Sequence, residues 1–165
     1  MRTCTVVAVL VLLLACTKSN EDPSVSVPAD CQQFLDKYFG AWKSKDVGTL
    51  QALSYYLSPE ERSRLPDGSL EMWRRSKNQL VTENLQRVTS LFGDFKDYKV
   101  LRLKTTAVSA QDQPAANMIG SGTHTELACK AIFSKKRDVQ VGFHLIKKTE
   151  GSQYVAAAWN FQAAP

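Results

Sequence analysis

The chain has 165 residues and a formal net charge of +5 at pH 7, with 44% apolar side chains. That length fits one domain of ordinary size, and no segment recurs, which excludes a repeat array. The charge is uneven: residues 29–94 carry nine basic and nine acidic side chains, whereas 95–165 carry ten and five.

The chain starts with a short polar segment carrying Arg2, followed by an unbroken apolar run from Val6 to Ala15. A basic start, a short apolar core and small residues at its end form a secretory signal. The run is shorter than the roughly 20 residues a spanning helix needs, so a transmembrane anchor is the weaker reading. It ends in Leu13-Leu14-Ala15-Cys16, which resembles the lipobox of bacterial lipoproteins. The resemblance implies cleavage before Cys16, diacylglycerol on its thiol and acyl chains of the palmitate type. Two or more chains make membrane anchoring stable. Thr17 stands where an Asp would retain such a protein in the inner membrane, so the resemblance implies the outer membrane. The rival is an ordinary cleaved signal with an incidental Cys16.

The expected layout is a signal peptide at 1–15, a tether at 16–29 and one domain at 30–165. The tether holds Pro23 and Pro28 and few apolar side chains, a composition that does not fold alone. The signal carries only Arg2, so the mature formal charge is +4. Lys135-Lys136-Arg137 and Lys147-Lys148 concentrate positive charge late in the chain. Such a face suits anionic headgroups, glycan or an acidic partner, or serves solubility alone. Export argues against nucleic acid.

Asp30 reads as an N-cap, with Gln33 completing a capping box. Cys31, Phe34, Leu35, Tyr38 and Trp42 follow at helical spacing, which predicts a helix over 31–43. Asp46 can cap a shorter helix with Val47, Leu50, Leu53 and Leu57 inward. After a polar link at 58–61, a long helix is expected from Ser69 to Phe92, closed by Gly93. Four strands follow, at 98–108, 123–134, 139–147 and 154–162, with a long loop at 109–122. The last three should pair as an antiparallel meander. A simple register sets Phe143 opposite Cys129 and Ala157, and points Leu127, Cys129, Phe133, Val141, Phe143, Leu145, Trp159 and Phe161 inward. The predicted class is α+β: two or three N-terminal helices, one long, on an antiparallel sheet of about four strands.

With Cys4 lost in the signal and Cys16 lipidated, Cys31 and Cys129 remain, both on core faces. In an oxidising compartment they can form a disulfide, closing a loop of about 100 residues worth roughly 4–5 kcal/mol in a chain-entropy model. The alternative is two buried thiols packing as small apolar groups.

The apolar spacing Phe34-Leu35, Tyr38-Phe39, Trp42, Lys45-Asp46 and Leu50, then Leu91-Phe92-Gly93, Phe95, Tyr98 and Trp159-Asn160-Phe161, resembles nuclear-transport-factor-2-like (NTF2-like, cystatin-like) domains. The resemblance spans most of 30–161 and implies a curved sheet wrapped round a long helix, often with a cone-shaped cavity. Some members are isomerases or dehydratases using an Asp, His or Tyr in the cavity; many only bind small molecules or dimerise. Fold alone does not choose.

The inward positions include no general acid or base, and neither a phosphate-binding glycine loop nor a Gly-x-Ser-x-Gly motif is present. No catalytic residue, metal site or cofactor is therefore assigned. His124 and His144 fall on the outer face, apart from each other: the simple register sets His144 between Ala128 and Ala156, and His124 near Lys148. On that face Ala128, Gly142, His144, Ala156 and Ala158 form a candidate contact patch, flanked by Ile132, Ile146 and Tyr154. Two functions follow. One is a lipid-anchored, non-catalytic interaction or scaffold domain with an envelope protein partner or a second copy. The other is a cavity that takes a small apolar molecule, with Trp42, Trp73 and Trp159 near it.

Overall fold

The computed structural model describes residues 25–163 except 56, 58, 113–120 and 148–152. The signal, Cys16 and most of the tether lie outside the described residues. Four helices precede four strands: α1 (Ala29–Ser44), α2 (Val47–Leu53), α3 (Pro59–Arg64), α4 (Leu70–Phe92), β1 (Phe95–Val108), β2 (Gly122–Phe133), β3 (Val139–Lys147) and β4 (Val155–Ala163). The strands form one antiparallel sheet in the order β1-β2-β3-β4. The α+β class holds, with one short helix more than the two or three expected.

The helix limits have local causes. At α2 the Asp46 carboxylate accepts from the Thr49 N–H at 3.0 Å, as an N-cap does. Gly93 follows α4 with φ 83, a conformation a side chain disfavours, and a Cβ there would strike Ser134. Asp30 departs from expectation. The cap position of α1 falls on Pro28, without a side-chain cap, and Asp30 instead pairs with Lys147 on β3. The ion pair outcompetes the cap because it satisfies a carboxylate and an ammonium together, and it holds the Asp30 pKa down and the Lys147 pKa up.

One layer of helix covers one face of the sheet. Phe34, Tyr38 and Phe39 of α1 surround Phe143, with Tyr38 edge-on at 5.0 Å between centroids. Phe39 also stacks on Phe95 and Tyr98, and Phe92 of α4 meets Phe133. Aromatic pairs at these spacings add about 0.5–1.5 kcal/mol each beyond their buried area. α4 contributes Val81, Leu85 and Val88 to the core. Every strand residue expected to face inward is buried or packs against that core.

The register differs from the simple one by two residues. Phe143 stands opposite Leu127 and Trp159, and Val141 opposite Cys129 and Phe161. The end of β2 explains the first offset. Ser134 and Lys135 donate their N–H groups to the carbonyls of Asp94 and Phe92, so β3 pairs with β2 only from Ala131 onward. An even offset leaves each side chain on its original face, which is why the core prediction survived. A bulge between His144 and Leu145 adds a second effect: it sets Ala156, not Ala157, opposite Leu145. One extra residue inverts the faces beyond it, and Ala156 becomes fully buried in the core.

Candidate functional site

The expected outer-face patch does not form as a unit. Ala156 lies in the core behind the β3–β4 bulge, with Tyr154 beside it. The Ala158 side chain lies outside the described residues. Ala128 and Gly142 remain outward and opposite each other, but long polar side chains surround them. A hollow of about 430 Å³ there is lined by Arg102, Gln140, Asn160 and Gln162 as well as Ala128 and Gly142. The Gly142 N–H donates to Asn160 Oδ1 at 3.1 Å, and a Cβ on Gly142 would sit 2.6 Å from that oxygen. The hollow is of mixed character, with Leu101 and Val141 also in its lining.

His144 sits beside this hollow and meets His124, a correction to their predicted separation. His124 Nδ1 and His144 Nε2 are 3.1 Å apart, one donating to the other according to tautomer. The two-residue offset makes them diagonal neighbours across β2 and β3, within the reach of long side chains. Burial lowers the His144 pKa, the neighbouring His124 adds to that, and Glu126 opposes it. The sequence signal was available: the two histidines are nearly symmetric about a hairpin centre at residue 135. Among the described residues no group of three metal-ligating side chains forms.

Cys31 and Cys129 are both fully buried and carry free thiols. They lie close enough for a charge on Cys31 to disfavour one on Cys129. Burial first, then Asp30, pushes the Cys31 thiol up to about 11; burial, then Cys31, pushes Cys129 to about 12. Both side chains pack within the hydrophobic core.

The most unusual polar chemistry lies at the far end of the core. There Trp42 of α1, Ser54 after α2 and Trp159 of β4 each bury a polar atom without a hydrogen-bond partner: Nε1, Oγ and Nε1. Trp42 is 3% exposed and Ser54 7%. Phe161 lies between the two indoles, 4.8 Å from Trp42 and 5.7 Å from Trp159 by centroid, and Tyr55 is 6.2 Å from Trp159. The Trp42 N–H lies toward the Tyr38 hydroxyl but short of hydrogen-bond geometry. Burial holds that hydroxyl above its ordinary pKa, and the Trp42 N–H pulls it the other way. Leaving a buried donor or hydroxyl unpaired costs about 1–3 kcal/mol.

Two features frame this cluster. Tyr55 has φ 61, a conformation that is strained for a bulky side chain. It directs the ring between Trp159 and Lys77, whose ammonium sits 5.0 Å from the Tyr55 centroid and 5.7 Å from that of Trp73. The three tryptophans therefore do gather at one end of the domain, linked through Tyr55 and Phe161. Ser54 and Tyr55 gave no sequence signal, because a backbone turn after a short helix positions them, not a motif.

Comparison with known proteins adds little. No protein-family model matches the chain, and no curated protein matches it. Among solved structures, a Campylobacter jejuni protein described as an NTF2-like transpeptidase is similar, with 14% identity, covering 76% of this chain and 95% of its own, at a TM-score of 0.46.

Proposed function

We propose that the protein is a lipid-anchored lipoprotein of the bacterial outer membrane whose NTF2-like domain binds a small molecule without transforming it. The observation that carries the binding half is the trio of buried, unpartnered polar atoms on Trp42, Ser54 and Trp159. Native proteins leave few such groups, and a bound acceptor is one way to satisfy them. Native mass spectrometry of the membrane-extracted protein should show a non-covalent adduct that is lost in Trp42→Phe/Trp159→Phe. A spectrum free of adduct in the unmodified protein would end the binding reading.

The anchoring half is supported by the Leu13-Leu14-Ala15-Cys16 run and the polar stretch after it. Among the described residues no helix is long and apolar enough to cross a membrane. Cys16→Ala should release the protein or leave its signal uncut, and unchanged membrane retention would count against lipidation. In an oxidising compartment the Cys31 and Cys129 thiols would close to a disulfide, each losing a proton and one electron to the compartment's oxidant. Thiol titration of the denatured, membrane-extracted protein should then find no free thiol.

A second reading keeps the interaction or scaffold role and places an envelope protein partner, or a second copy, on the outer face. It is favoured by the hollow over Gly142 and its ring of Arg102, Gln140, Asn160 and Gln162. Arg102→Glu should abolish capture of that partner, or dimerisation on size exclusion, while leaving the adduct in place.

A further inference from the structure

We propose that the ligand is an apolar carboxylate, its acid group received by the donors at the Trp42–Ser54–Trp159 end of the core and balanced by Lys77. This rests on the binding reading above and names the chemical class it takes. An indole N–H can donate but never accept, and two of the three unpartnered atoms are indole nitrogens. The third, the Ser54 hydroxyl, can donate as well. A site composed of donors calls for a ligand end composed of acceptors. An amine or ammonium would meet donors with donors.

The charge is supplied close by. Lys77 is joined to the cluster through the Tyr55 ring, which its ammonium faces at 5.0 Å and whose centroid lies 6.2 Å from that of Trp159. Among the described residues Lys77 has no carboxylate partner. It rests instead on the faces of Tyr55 and Trp73, a cation–π seat weaker than a charge-assisted bond to a carboxylate. Along the same helix Arg75 pairs with Glu71, Glu83 with Gln79 and Arg87 with Asn84. Lys77 is a cation that the fold seats on the ring next to Trp159 with no carboxylate on it among the described residues.

The walls specify the rest of the molecule. Phe161, Trp159, Tyr55 and Trp73 offer ring faces and edges, which suit a hydrocarbon or aromatic body. Tyr55, with φ 61, carries the ring that links Lys77 to Trp159.

The test uses the full-length, detergent-solubilised protein and four probes of two shapes: phenylacetate and octanoate, with 2-phenylethanol and octanol as partners lacking only the charge. Binding is read from tryptophan fluorescence, since all three tryptophans of the chain lie at this end, and from the unfolding midpoint. At least one carboxylate should bind at least tenfold more tightly than its alcohol. Lys77→Gln should weaken the carboxylate at least fivefold and leave the alcohol unchanged, with an unaltered midpoint showing that the variant folds. Equal binding of acid and alcohol, or no effect of Lys77→Gln, overturns the carboxylate and leaves the binding reading standing. Failure of all four probes to bind overturns both, and assigns the donors to buried water.

Discussion

Two regions of one sheet treat buried polar atoms in opposite ways. Along the β2–β3 seam they find each other. Thr125, 1% exposed, shares its hydroxyl with Tyr154 and Thr105, and His124 meets His144 on the reverse face. At the β4 end, Trp42, Ser54 and Trp159 keep theirs unpartnered. Burial is similar in both, so the difference lies in what each region is completed by. The seam is closed by the chain itself, whereas at the β4 end the chain supplies no partner and the proposed ligand would. Polar satisfaction, read along a single core, separates scaffold from site more sharply than depth does.

Breaking the floor common to both regions should have the largest effect. Phe143 pairs with Leu127 on one side and Trp159 on the other and packs on Phe34, Tyr38 and Phe39. Phe143→Ala should cost about 3–5 kcal/mol in urea unfolding. Next comes Thr125→Val, which keeps volume but leaves the Tyr154 hydroxyl without its donor; a loss of about 1–3 kcal/mol is expected by the same measurement. Ser54→Ala sharpens the contrast. Removing a buried hydroxyl that has no partner should be neutral or stabilising by about 1 kcal/mol. A loss as large as that of Thr125→Val would show that Ser54 is partnered, and the comparison would fail.

The smallest expected effect is on pH dependence. His144 has a folded pKa below its unfolded value of about 6.5. The folded state therefore prefers the neutral ring, and its contribution is complete above pH 6.5. It is lost as the pH falls through the lower folded value, because the unfolded chain binds the proton more readily. Unfolding midpoints recorded from pH 7.5 to 5 should decline, and His144→Gln should flatten that decline. An unchanged slope in the variant would remove the histidine pair from the account.

Most of the fold was legible because periodicity is a strong signal. The apolar spacing of α1 and α4 and the alternation of β2 and β3 identified the core residues, and a register wrong by two residues did not disturb them. What stayed hidden depended on events that periodicity does not encode. The bulge at His144 and Leu145 moved Ala156 to the other face, and the engagement of Ser134 and Lys135 with the α4–β1 junction set the register that joined His124 to His144. The candidate site is half visible in the sequence: the tryptophans stand out, but Ser54 and Tyr55 are brought to them by the strained turn after α2, and Lys77 by its place on α4.

The ion pair of Asp30 with Lys147 has a mechanical meaning. In a chain held at Cys16, any pull on the domain arrives through residues just before α1. Val27 already packs on the core, and one residue into α1 Asp30 is tied to the end of β3, a central strand. Load entering at the first helix is thereby shared with the sheet at once and does not peel α1 from its end. On the proposed anchor the domain would be pulled at its root, and this fastening lies where such a tether would meet it.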